Sequence, residues 1–94
     1  MSTEAASENV IFIGKKSVMN YVLAVLLQFD VGNKVVVLRA RGRAISKAVD
    51  VAQIVKRRLL GGRVEVTSCK IDTEDVGDPP RKVSTIEIVL EQVE

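Results

Sequence analysis

The sequence has no histidine, no tryptophan, one cysteine, two prolines and only three aromatic residues in 94. Each shortage removes a class of function. Without histidine there is no imidazole to act as a general base, to activate a serine or cysteine, or to ligate a metal. The lone Cys69 cannot form an intramolecular disulfide and fits a reducing compartment. It is expected as a small buried apolar residue in a strand. The aromatics, Phe12, Tyr21 and Phe29, are too few for a platform on which single-stranded bases stack. The longest apolar run, Tyr21 to Leu27, falls far short of the ~18 residues of a membrane span. Residues 1–8 are polar and acidic, without the basic-then-apolar order of a secretory signal. They are expected as a flexible tail ahead of one domain over 9–94. A soluble, cytoplasmic protein with no membrane partner is the expectation.

What the chain has is aliphatic core material and segregated charge. Of its residues 47% are hydrophobic, nearly all Val, Ile, Leu and Ala. From Lys15 to Arg63 eleven Lys or Arg face two acids, Asp30 and Asp50, a balance of +9. The rest carries three basic residues against ten acids, −7, so the net charge of +2 conceals a strongly basic centre. The cations cluster at Gly14-Lys15-Lys16 and at Arg39-Ala-Arg-Gly-Arg43, each just after an apolar run.

The apolar runs set the fold. Val10–Ile13 reads as a short buried strand stopped at Gly14. Ser17 can cap a helix whose face is Val18, Tyr21, Val22, Val25, Leu26 and Phe29, closed by the turn residues 30–33. Lys34–Leu38 reads as a second buried strand. Ile45, Ala48, Val49, Ala52, Val55 and Leu59 mark a second helix, with Lys56, Arg57 and Arg58 complementing its C-terminal dipole. Arg63–Ile71 reads as a strand whose alternation changes phase near Thr67-Ser68, as at a bulge. Residues 72–82, with Gly-Asp-Pro-Pro, read as a polar flexible loop, and Val83–Val93 as a last strand. The fold class is therefore α/β, an α+β two-layer βαβαββ domain with a mixed sheet and both helices on one face. Two strand-helix-strand crossovers imply parallel pairing of the first three strands.

In such units strand C-termini and the following helix N-termini share one edge of the sheet. The loop at Lys15-Lys16 and the turn at Arg41-Gly-Arg43 are expected side by side, with the last hairpin leaving from the same edge. Helix N-termini offer unpaired N–H groups and partial positive charge. Lysines add point charges, and arginines add forks that grip phosphate oxygens. Lys15, Lys16, Arg41, Arg43 and Lys47 are thus the candidate nucleic-acid contacts, roughly four to six phosphates per subunit. Nothing resembles a helix offering Arg, Asn and Gln to base edges, so backbone recognition without sequence preference is expected. Catalysis finds little support. Gly14-Lys15-Lys16-Ser17 resembles the end of a P-loop, yet Asn9 replaces the earlier glycine and Lys16 separates Lys15 from Ser17. Glu74, Asp75 and Asp78 sit in a Gly-Pro segment and read as a solvated turn. No enzyme activity, cofactor or metal is expected; a carboxylate-only, metal-dependent nuclease is the weakest reading.

At Ile13-Gly-Lys-Lys16, Val18-Met-Asn-Tyr-Val22, Ala40-Arg-Gly-Arg-Ala-Ile-Ser-Lys-Ala-Val-Asp50 and Val83-Ser-Thr-Ile-Glu87 the chain resembles the Alba family of archaeal chromatin proteins, from about Asn9 onward. The resemblance implies a homodimer, or a heterodimer with a paralogue, that coats and condenses double-stranded DNA on the chromosome without sequence specificity and binds RNA as well. It implies that Lys15, Lys16, Arg41 and Arg43 face the nucleic acid. It also implies acetylation at Lys15, with Lys16 as the alternative, which makes a lysine acetyltransferase and a deacetylase candidate partners. Two departures stand out. The family's hairpin is often a basic arm, whereas Thr73–Asp78 here is acidic, with Arg81 and Lys82 at its base. A Phe that packs one dimer on the next is replaced by Leu59, which suggests either a second-type paralogue or a residue that only covers the helix end. Independently, Val89 and Val93 lie out of phase with Ile86, Ile88 and Leu90, giving the last strand two apolar faces that a partner would cover. The alternative function is an RNA-binding subunit of a ribonucleoprotein particle.

Overall fold

The computed structural model describes residues 9–58 and 63–93. The tail expected at 1–8 and the contact expected at Leu59 lie outside these residues. The elements are β1 (Val10–Phe12), α1 (Val18–Asp30), β2 (Val35–Arg41), α2 (Ala44–Arg58), β3 (Arg63–Val76) and β4 (Arg81–Val93), in the expected βαβαββ order. The strands form one mixed sheet in the order β1-β2-β4-β3.

β1 pairs parallel to β2, with Ile11 opposite Leu38. β4 then pairs antiparallel to both β2 and β3. The expected parallel pairing of three strands is therefore correct for β1 and β2 only. β3 runs in the direction of β2, but β4 separates them. Burial explains the insertion. β4 has Ile86, Ile88 and Leu90 to place under the helices, whereas β3 buries Val64 alone. A strand with one core residue belongs at an edge, and a strand with a full apolar row belongs inside.

Both helices cover the same face. Tyr21, Val22, Val25 and Phe29 of α1 meet Val36, Leu38 and Ala40 of β2 and the β4 row in one core. Ser17 caps α1, its Oγ accepting the Asn20 N–H at 3.3 Å. In α2 the buried residues are Ala48, Val51, Ala52 and Val55. Val51, rather than the expected Val49, completes the three- and four-residue spacing from Ala48, and Val49 is left exposed.

The register of β3 shifts between Val66 and Ser68, leaving Thr67 without a partner at the expected phase change. Beyond that bulge Cys69 and Ile71 pair with Ile88 and Ile86 but extend past the helical cover. Cys69 is exposed, which corrects its expected burial. Residues 72–82 also differ from expectation. They form a ladder from Asp72 opposite Thr85 to Val76 opposite Arg81, closed by a turn at 77–80. A two-stranded ribbon is held by backbone hydrogen bonds and needs no buried side chains, so its polar composition resembled a loop. Asp75 lies opposite Lys82, and their charged atoms are 2.9 Å apart.

Candidate nucleic-acid interface

The first basic loop is set by the residues on either side of it. The Ile13 N–H donates to the Arg39 carbonyl at 2.8 Å, and the Ile13 side chain is buried. The chain then turns away from the sheet, freeing the N–H groups of Gly14 and Lys16. Both donate to the Tyr21 hydroxyl oxygen, at 2.8 and 3.1 Å. The carbonyls of the same two residues accept from Lys47 Nζ in the first turn of α2, both at 2.7 Å. The ammonium also lies 5.9 Å from the centroid of the Tyr21 ring. Lys15 is left exposed at the apex, and Lys16 is exposed beside it.

The second basic loop is the tight turn from β2 into α2. Gly42 has φ of +58°, a left-handed conformation that side chains resist. Its N–H donates to the Ser84 carbonyl at 2.9 Å, and its carbonyl accepts the Ile45 N–H at 3.1 Å. The turn is thus tied to β4 on one side and starts α2 on the other. Arg43 is exposed and forms no ion pair among the described residues, and the same holds for Lys15 and Lys16. Arg41 differs: its Nη1 lies 3.0 Å from Glu74 Oε1 on the arm.

These contacts bring the three segments to one edge. Lys47 joins the α2 start to the Gly14–Lys16 loop, while Arg41 and Gly42 join the turn to β3 and β4. The five expected residues therefore gather in one region, with Lys47 engaged by the protein itself. Sequence reasoning missed Tyr21 as a polar participant, having placed it only on the core face of α1. A tyrosine at the rim of a core, a few residues after exposed amides, is the signal that was available. The cations at the other end of α2 lie apart from this edge, and Lys56 is 3.6 Å from Glu65. Beside the edge, the uncovered sheet face forms a shallow groove of about 820 Å³ lined by Phe12, Arg39, Lys70 and Glu87, among others. Among the described residues no cluster of three or more Cys, Asp or Glu is placed to hold a metal, and no helix is long and apolar enough to cross a membrane.

The Alba family model matches residues 9–73, a span containing both basic loops, both helices and most of β3. The chain belongs to the Alba family. The DNA/RNA-binding protein Alba of Nanoarchaeum equitans is 56% identical over 84 residues, covering 85% of this chain and 93% of that protein. The DNA/RNA-binding protein Alba 1 of Archaeoglobus fulgidus is 54% identical over 86 residues, covering 89% and 96%. Among solved structures, Alba from Thermoplasma volcanium superposes with a TM-score of 0.82 at 44% identity, covering 88% of this chain and 99% of that one. The two helices over a four-stranded mixed sheet are thus the Alba fold, and the acidic arm is built on it.

Proposed function

We propose that this Alba-family protein binds double-stranded DNA through its phosphate backbone, packages it as a dimer, and binds RNA with the same surface. The observation that carries the reading is the tying of two basic loops into one edge, with Lys15, Lys16 and Arg43 exposed and unpaired among the described residues. Exposed cations beside helix N-termini attract phosphate and carry no information about bases. Relatives whose names describe DNA and RNA binding support the choice of ligand. The place of action is the chromosome, and Lys15, at the loop apex, is the residue a lysine acetyltransferase would reach. Acetylation there would remove one cation from the edge.

Support for the dimer lies on the uncovered face of the sheet. Val10, Val37 and Val89 stand in one cross-strand row, with Phe12 and Val35 in the rows on either side. Phe12 is 70% exposed. An apolar band across three strands is better covered by a second subunit than by water.

The test is binding of the wild type, Lys15→Ala/Lys16→Ala and Arg41→Ala/Arg43→Ala to several unrelated duplexes and a folded RNA. Each double variant is expected to lose about tenfold or more in affinity, equally on every duplex, since each lost charge-assisted contact is worth about 1.5 kcal/mol or more. Retained affinity in both would overturn the reading. A large preference for one folded RNA over all duplexes would favour a ribonucleoprotein subunit instead.

A further inference from the structure

We propose that Lys47 is a positioning residue: it clamps the Gly14–Lys16 loop and so fixes Lys15 and Lys16 relative to Arg41 and Arg43. The inference rests on the phosphate-binding reading of this edge and assigns Lys47 a role other than contact with phosphate. A lysine ammonium has three donors and no acceptor. Two of the three are used at 2.7 Å, on the carbonyls of Gly14 and Lys16, a length typical of charge-assisted bonds. The ammonium also sits over the edge of the core, 5.9 Å from the Tyr21 ring centroid. From the other side the Tyr21 hydroxyl accepts the N–H groups of the same two residues. Gly14 and Lys16 are therefore held through both N–H and C=O by two side chains from two different helices.

Lys15, between them, is the residue the clamp presents. Its exposed side chain projects from a backbone that is fixed on either side. Without the clamp, the few residues between β1 and α1 would have to be ordered when the ligand arrives, at a cost in conformational entropy. Only one of the three Lys47 donors is left for a phosphate; recruiting either of the others would break a bond that holds the neighbouring lysines in place. The same side chain connects the two basic loops, since it starts in α2 directly after the Arg41–Arg43 turn and ends on the Gly14–Lys16 loop.

Two variants test the role. Lys47→Met keeps the chain length and removes the donors, and Tyr21→Phe removes the opposing acceptor without changing any charge. Solvent exchange of the Gly14 and Lys16 amides is followed by NMR in the free protein, and duplex binding is followed across a salt series, with Lys15→Ala as the comparator. Both variants are expected to speed exchange of these amides about tenfold or more and to weaken duplex binding severalfold. The slope of log affinity against log salt should stay at the wild-type value, whereas Lys15→Ala leaves exchange unchanged and makes the slope shallower. Wild-type exchange in both variants would overturn the clamp. So would a Lys47→Met slope shallower by about 0.9, the signature of one lost phosphate contact. Because exchange is read without ligand, it decides the clamp even if the phosphate reading of the edge were to fail in the Lys15/Lys16 variants.

Discussion

Tyr21 works on two levels at once. The residue is 8% exposed at the core, and its hydroxyl accepts two backbone N–H groups from the loop that carries Lys15 and Lys16. Packing and the binding edge are thereby linked through one side chain, and that link was invisible to periodicity, which reports only which face a residue occupies. The cations themselves were legible because charge, unlike a hydrogen bond, is written in the residue type. Gly42 is a second residue on which the edge depends. A methyl group there would lie 3.7 Å from Val83 Cγ1, so space is available, but the φ of +58° is not one alanine adopts freely. Gly42→Ala is expected to destabilise the fold by about 1–2 kcal/mol, the cost of one left-handed non-glycine residue. Urea denaturation measures this, and an unchanged midpoint would contradict the role given to the turn.

Among the elements, the β3–β4 arm departs most from what the sequence suggested. Helices α1 and α2 were legible because their buried faces repeat at three- and four-residue steps, and β1, β2 and the core half of β4 because their runs are apolar. The arm has no buried face, so its pairing rests on backbone hydrogen bonds and register, which composition does not encode. The order of the sheet was hidden for a related reason: the crossovers fix direction, but the burial available to β3 and β4 decides which of them is central. The arm also reaches the basic edge. Two of its acids are paired with cations, Asp75 with Lys82 at 2.9 Å and Glu74 with Arg41 at 3.0 Å. Glu74 therefore occupies the arginine that a phosphate would use, and the partners are half-exposed, so the pair is worth only about 0–1 kcal/mol. Glu74→Gln should release Arg41 and tighten duplex binding by up to about fivefold, measured by titration at fixed salt. Weaker binding by this variant would mean that the pair orients Arg41 for the ligand instead of competing with it.

At the scale of the whole molecule, the uncovered sheet face carries an apolar band beside an Arg39–Glu87 ion pair, and the basic loops lie at its edge. The helices and one side of the sheet enclose the core, the basic loops lie at the strand ends, and the other side of the sheet carries the band of Val10, Val37 and Val89. If that band is the subunit interface, two edges are held in one particle and more of the duplex is spanned. Val37→Glu places a charge at the centre of the band while leaving the helix-facing residues intact. It is expected to convert the protein to a monomer, read by analytical ultracentrifugation, with a loss of duplex affinity of tenfold or more; an unchanged dimer would move the interface elsewhere. The central claim is that the edge formed by Lys15, Lys16, Arg41 and Arg43 binds phosphates as a unit. The most direct test is the salt dependence of duplex affinity for the wild type and for the variant with all four replaced by alanine. Each neutralised phosphate contributes about 0.9 to the slope, so the fourfold variant should have a slope shallower by about three to four units per bound subunit. A slope equal to that of the wild type would contradict the account.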